Sequence, residues 1–203
     1  MSKYKYLLDN GHGGLNPETG EYVTAPAKMF DHGDFVFQEG VFNRQIVARV
    51  AEKLKAAGID FMILVPEWED ISLTERVRRV NEQHINGNLC SVVCIHANAG
   101  GGVGREFFTS EGQTISDKMA DCYFDAFDDE IPKQKVRTGK WEDGDRDKEA
   151  RFAMVQKVIP SSVLLEIGFM DNYDEAKWMM SDEGQEDIAE AIFQGILKIE
   201  ETL

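Results

Sequence analysis

Nothing in this 203-residue chain approaches the roughly 20 consecutive apolar residues of a membrane-spanning helix, which excludes a helical membrane protein. The opening, Met1-Ser2-Lys3-Tyr4-Lys5-Tyr6, lacks the apolar stretch of a secretory signal, so the expectation is a protein made without a signal peptide, or one trimmed of it. Basic residues are scarce: 22 Lys and Arg stand against 37 Asp and Glu, a net charge of −15. That balance excludes nucleic acid as a partner, because phosphate binding needs a basic face, and it predicts weak attraction to anionic cell surfaces. The acidic concentration Asp125-Ala126-Phe127-Asp128-Asp129-Glu130 reads as solvated surface. With only three cysteines there is no second Cys pair for a zinc knuckle. Cys90 and Cys94 on one strand would lie about 13 Å apart, beyond the ~7 Å reach of a disulfide. Repeats, low-complexity tracts and linkers are also missing, which leaves one domain over residues 1–203.

What is present alternates between strand and helix. Tyr4 to Leu8 reads as a strand, followed by a Gly-rich turn and an irregular stretch over 15–38 containing Pro17, Gly20, Pro26 and Gly33. Phe42, Ile46, Val50 and Leu54 at helical spacing predict a helix from Glu39 to Ala57, stopped by Gly58. Ile59 to Val65 is a second strand, closed by Pro66. Ser72-Leu73-Thr74-Glu75 is a capping box opening a helix to about Asn86. Cys90 to Ile95 and Arg105 to Thr109 read as strands, and Ser110 with Gln113 is expected to cap a helix running to about Phe127. Residues 133–150 are charged and irregular, and Phe152 to Val158 is ambiguous. A strand over Ser162 to Ile167, a short helix capped by Asn172 and Glu175, and a closing helix from Asp182 to Glu200 complete the chain. Such alternation predicts an α/β fold with parallel strands and helices on both faces.

Polar residues interrupt this pattern where α/β proteins place their sites, outside the carboxyl ends of strands. His12 follows the first strand, His96 ends the run Val92-Val93-Cys94-Ile95, and Glu166 ends Val163-Leu164-Leu165. Two imidazoles and a carboxylate suffice for an open zinc site. Alone, Gly11-His12-Gly13-Gly14 is too short to mean more than a Gly-rich turn, and His96 is as well explained by a satisfied core histidine with Asn98 at hand as a hydrogen-bond partner. Glu166 is the sharpest residue: a carboxylate between Leu165 and Ile167 is costly to bury without a partner. Burial there raises its pKa toward a value suited to proton transfer. Glu39 at a helix start is also accounted for by the macrodipole. His32 and Glu21 are competing metal ligands from the preceding loop, and His84 reads as solvated.

Taken together and in order, these residues carry a resemblance. Gly11-His12-Gly13-Gly14, Glu39 with Asn43, His96-Ala97-Asn98, and Glu166-Ile167-Gly168-Phe169 with Asn172 resemble the zinc-dependent N-acetylmuramoyl-L-alanine amidases of the type-3 catalytic domain. Asp70, Leu73, Arg76 and Asn81 are similar to further positions of that pattern, and the likeness runs from Leu7 to the last helix. The resemblance implies a compact single α/β domain with a mixed, largely parallel sheet. It implies His12, Glu39 and His96 as ligands of Zn2+ and Glu166 as the catalytic carboxylate. The substrate it implies is peptidoglycan, cut at the amide between N-acetylmuramic acid and the stem peptide's L-alanine. Asn98 is expected to contact substrate, and Arg137, in Val136-Arg137-Thr138-Gly139-Lys140, falls where the family often has an Arg-Gly loop. Departures include Asn10 where Pro or Ala is common, Cys94 where Ser is common, and a longer stretch between His12 and Glu39. A zinc peptidase acting inside the stem peptide and a non-catalytic wall-binding module are the alternatives. Action on the cell wall after phage-type release, or as a trimmed periplasmic or secreted enzyme, follows as the expected location.

Overall fold

A computed structural model describes residues 2–24, 28–138 and 144–203. Six strands form one sheet in the order β4-β1-β5-β8-β6-β7. They are β1 (Lys5–Asn10), β4 (Phe61–Ile63), β5 (Cys90–Asn98), β6 (Glu106–Thr109), β7 (Lys148–Glu149) and β8 (Ser161–Phe169). β1 pairs in parallel with β4 and β5, and β5 pairs in parallel with β8. β6 runs antiparallel to β8, with β7 parallel to β6 at the edge. The sheet is therefore mixed and largely parallel, as expected.

Alternation along the strands divides the core into two layers. Tyr6, Leu8, Val93, Ile95, Val163 and Leu165 project to one face. There they meet Ile46 and Val50 of α1 (Glu39–Ala57), Met119 and Tyr123 of α3 (Ile115–Glu130), and Ile188 and Ile192 of α6 (Asp182–Thr202). The other face carries Leu7, Val92, Cys94 and Leu164, covered by Val80 of α2 (Leu73–Ile85) and by Met154 and Val155 of α4 (Ala153–Gln156). Cys90 and Cys94 are free thiols of this second layer. Each fully buried Leu, Ile or Val contributes about 1.5–3 kcal/mol, so both layers add to the stability of the sheet between its helices.

Several local expectations are corrected. β5 and β8 extend to Asn98 and Phe169, so His96 and Glu166 lie inside strands rather than at their ends. A register shift between His96 and Asn98 marks where the ladder loosens. The 15–38 stretch contains an antiparallel hairpin of β2 (Met29–Asp31) and β3 (Val36–Gln38); its Pro26 lies outside the described residues. α3 begins at a capping box of Thr114 and Asp117, not at Ser110 and Gln113. The Thr114 hydroxyl accepts from Ser116 while the Asp117 carboxylate accepts from the Thr114 N–H, a reciprocal pair that Gln113 does not form. At Ser72 only half of the expected box exists: Ser72 accepts from Glu75 N at 3.3 Å, but Glu75 turns its carboxylate to Arg78 and Arg79. The ambiguous 152–158 segment holds the single turn α4, and the short α5 (Tyr173–Met179) starts at Asn172 as expected.

Candidate active site

β1 ends at Asn10, and the chain turns at once through Gly11-His12-Gly13-Gly14. The residue in the left-handed region is His12 itself, with φ 66°, not one of its glycines. An L-residue holds that conformation at a cost of about 1–2 kcal/mol, so its surroundings must impose it. They do: the His12 carbonyl accepts from Arg44 Nη1 at 2.9 Å and from Arg76 Nη2 at 3.0 Å. Arg76 is 2 % exposed and also bonds Asp9 Oδ1 (2.5 Å), Asn10 O (3.2 Å) and Ile71 O (2.8 Å). Asn43 of α1 donates to Gly11 O at 3.0 Å. The glycine at 11 serves close approach, since a Cβ there would stand 2.2 Å from the His96 ring.

Glu39, at the first turn of α1, is the hub. Its Oε1 lies 3.0 Å from His96 Nδ1 and 3.2 Å from His12 Nε2, and it accepts from Ala97 N at 3.3 Å. The two imidazoles meet edge to face, 5.0 Å between centroids. Burial pushes the Glu39 carboxyl up, but the imidazoles of His12 and His96 beside it outweigh this and hold it well below the usual carboxylate range. Burial pulls His96 down, yet Glu39 wins and its pKa is raised. One donor atom each from His12, Glu39 and His96 lies within 4.8 Å of the others. His12 Nε2 and Glu39 Oε2 are buried without a hydrogen-bond partner, although Lys28 Nζ stands 3.7 Å from that oxygen. Orphaned donor atoms of this kind fit a metal ion. A cleft of about 340 Å3, lined by His12, His96, Asp70 and Leu73, opens beside the two rings.

Glu166 is brought to the same place by register. It pairs with His96 across the parallel β5/β8 ladder and with Glu106 across the antiparallel β6/β8 ladder. Its Oε2 is buried with no partner. Burial, with smaller contributions from neighbouring charges, pushes its pKa up to about 7. The sequence expectation of a costly buried carboxylate thus meets an oxygen that no hydrogen bond satisfies among the described residues.

Other expected residues fall elsewhere. Asn98 gives no hydrogen bond to His96; its Nδ2 donates to Glu106 Oε1 at 2.5 Å and its Oδ1 accepts from Ala99 N. Arg137 Nε donates to Glu106 Oε2 at 2.8 Å, and its guanidinium lies 5.1 Å from the Phe169 ring centroid. Gly139 and Lys140 of its loop lie outside the described residues. His32 belongs to an aromatic group with Phe30, Phe35 and Tyr173 and bonds Met170 O at 2.9 Å; among the described residues neither it nor Glu21 joins a metal-ligand group. His84 is half-buried, with its Nδ1 enclosed, rather than solvated. Glu106 was missed by the sequence reading. Its signal was faint: a charge that opens the four-residue strand Glu106–Thr109 has too little apolar sequence around it to stand out as Glu166 does within Val163 to Ile167.

A group of two imidazoles and a carboxylate at the edge of a mostly parallel sheet, beside a carboxyl titrating near neutrality, defines a hydrolase of the α/β class with a candidate metal centre. The family model of N-acetylmuramoyl-L-alanine amidases matches residues 7–198, and the chain belongs to that family. It is a peptidoglycan hydrolase that cuts the amide between N-acetylmuramic acid and L-alanine. Among solved structures, the amidase AmiC2 of Nostoc punctiforme is 26% identical, with TM-score 0.75 and 97% of each chain covered. Ami1 from Mycobacterium smegmatis shares the fold at 21% identity, TM-score 0.78, over 100% of this chain and 99% of that one. The catalytic domain of the CD27L endolysin targeting Clostridia difficile shares it at 21% identity, TM-score 0.67, over 96% of this chain and 97% of that one. No curated protein sequence matches. No helix among the described residues is long and apolar enough to cross a membrane.

Proposed function

We propose that the amidase reaction of this chain is zinc-dependent, with His12, Glu39 and His96 as the ligands and Glu166 as the residue that moves the proton. Two imidazole nitrogens and one carboxylate oxygen suit zinc and leave a coordination position open for reaction. Bound there, zinc supplies a Lewis acid for the scissile carbonyl and acidifies water. Glu39, held ionised, serves as a ligand and not as an acid. Glu166, with its pKa near 7, takes a proton from the water that adds to the carbonyl carbon. It returns that proton to the L-alanine nitrogen as the C–N bond breaks, leaving a carboxylic acid on the lactyl group and a free amine on the stem peptide. The acid's remaining proton then passes to water or to that amine, giving the carboxylate. Arg76, Arg44 and Asn43 fix the His12 turn, so the ligand is oriented before anything binds.

The observation that carries this reading is the His96–Glu166 register pair with an unpartnered Glu166 oxygen beside the imidazoles. Asn98 and Arg137, gathered on Glu106, are the proposed substrate contacts, Arg137 toward stem-peptide carboxylates. The whole of residues 1–203 acts as one catalytic domain, and it works at the cell wall because the substrate is there. Mass spectrometry of peptidoglycan digested with and without a chelator tests the proposal. Stem peptides beginning at L-alanine, released only with zinc present, are expected. Equal release in the chelated protein removes the metal from the mechanism.

A further inference from the structure

A second group of acidic side chains lies away from His12, Glu39 and His96. Thr109 ends β6, Asp117 sits in the first turn of α3, and Asp145 and Asp147 lead into β7. One oxygen each from Asp117, Asp145 and Asp147 lies within 4.8 Å of the others. Two oxygens bound to one calcium ion, at 2.3–2.6 Å each, can stand at most about 5 Å apart, so the group fits within one coordination sphere.

Two observations set this group apart from an ordinary acidic surface. First, Asp147 is 2 % exposed and its Oδ1 has no hydrogen-bond partner. Second, the Thr109 hydroxyl lies 2.7 Å from Asp147 Oδ2 and 3.0 Å from Asp117 Oδ1. A hydroxyl carries one proton, so it satisfies one of these oxygens and leaves the other without a donor. The basic residues flanking Asp147 are engaged elsewhere: Arg146 with Asp121, Asp125 and Asp128, Lys148 with Glu106. No ion pair joins Asp117 or Asp147 to a basic side chain among the described residues. Gln113 Nε2 donates to Asp145 Oδ2 at 3.2 Å, and the Thr114 N–H donates to Asp117 Oδ2. Burial pushes Asp147 up to about 7, as a carboxylate without compensating charge requires.

We propose that Asp117, Asp145 and Asp147, with the Thr109 hydroxyl, form a second cation site, for a hard divalent ion of the calcium type. All its donors are oxygens, unlike the nitrogen-rich group around His12, so the two sites select different ions. A bound ion ties β6, the start of α3 and the β7 edge together. It thereby steadies Lys148, which holds Glu106 opposite Glu166.

The test is calorimetric titration of calcium into the zinc-loaded protein, paired with thermal unfolding. One calcium per chain is expected, with a rise in Tm on the order of 5–10 °C at calcium 100-fold above its Kd. Both effects should vanish in Asp147→Asn, and calcium affinity should fall at least 10-fold in Asp145→Asn, whose milder change guards against a folding defect in the first variant. No heat and no shift at millimolar calcium overturns the proposal and leaves a shared proton as what satisfies the cluster. An equal shift in both variants overturns it too, by placing the calcium elsewhere.

Discussion

Glu106 and Glu166 stand opposite each other across the β6/β8 ladder, Glu106 buried and Glu166 half-buried, and their pKa values are shifted in opposite directions. Burial pushes Glu106 up, but Lys148 and Arg137 donate to it and bring it below the usual carboxylate range. Asn98 donates to its other oxygen. Glu166 has the burial without the donors, and it is pushed up to about 7. Burial raises both carboxyls, and the donors that Glu106 has bring it down again. The consequence is a fixed anion beside a mobile proton, the fixed charge itself helping to raise its neighbour. The same logic separates Glu39, which two imidazoles hold ionised, from Glu166. Three glutamates close to one another are thus sorted by their surroundings, Glu39 and Glu106 shifted down and Glu166 shifted up.

The largest effect expected from breaking this contrast comes from Glu166→Gln, which keeps the shape and removes the proton carrier. The kcat for release of stem peptides should fall about 10²–10⁴-fold, while metal analysis finds the ion still bound. A variant that loses metal along with activity makes Glu166 a ligand and ends the distinction between it and Glu39. In the metal-free protein the same substitution should raise stability. The folded pKa is near 7 and the unfolded value about 4.3. Between these pH values the folded state keeps a proton that the unfolded chain has lost, so wild-type stability falls as pH rises. Glu166→Gln should exceed wild type by up to about 4 kcal/mol above pH 8 and match it below pH 4. Urea unfolding of the chelated proteins at the two pH values measures this. An equal offset at both would mean that packing, not the proton, separates the variants.

How much of this was open to a reader of the sequence follows from the range of each interaction. The helical stripe Phe42, Ile46, Val50 and Leu54 and the closing helix were legible because one-face burial writes itself in the spacing of apolar residues. Glu166 stood out because a charge inside an apolar run is a local anomaly. Glu106 carries the same anomaly in a strand of four residues, too short for the surroundings to advertise it. The partners that separate the two glutamates, Lys148 and Arg137, lie 42 and 31 residues from Glu106, and spacing says nothing at that range. Asn98 was read as a partner for the adjacent His96, and the register shift beside it turned it to Glu106 instead. Arg76 appeared only as a position in a family pattern; that it holds an L-residue in the left-handed region needed coordinates. The β2–β3 hairpin escaped notice because strands of three residues have no period to read.

A smaller effect, but one aimed at the contrast itself, comes from Glu106→Gln. Removing this anion withdraws a charge that raises Glu166 and leaves Lys148 and Arg137 without their acceptor. Both changes favour ionised Glu166, so the acid limb of kcat/KM should move to lower pH by about 0.5–1 unit. In the metal-loaded enzyme the limb already lies below about 7, because a cation beside a carboxyl stabilises its charged form. The displacement between variant and wild type is therefore what counts. An unmoved limb would mean that Glu106 serves only to hold Asn98 and Arg137.

Lys28, whose charge lowers the Glu166 pKa by more than Glu106 raises it and which stands 3.7 Å from Glu39 Oε2, gives the smallest displacement only because it is screened. Its side chain is 38% exposed, so water and salt screen it well. Lys28→Met should move the acid limb to higher pH, opposite in sign to Glu106→Gln, by roughly 0.2–0.4 units at low ionic strength and by less in 0.5 M salt. The Glu106 shift should survive the same salt, because Glu106 is 6% exposed. Opposite signs with unequal salt sensitivity can arise only if both residues act on Glu166 through its charge. Shifts of one sign, or equally screened, would instead point to a rearranged cleft and would detach the proton carrier's pKa from its two neighbours.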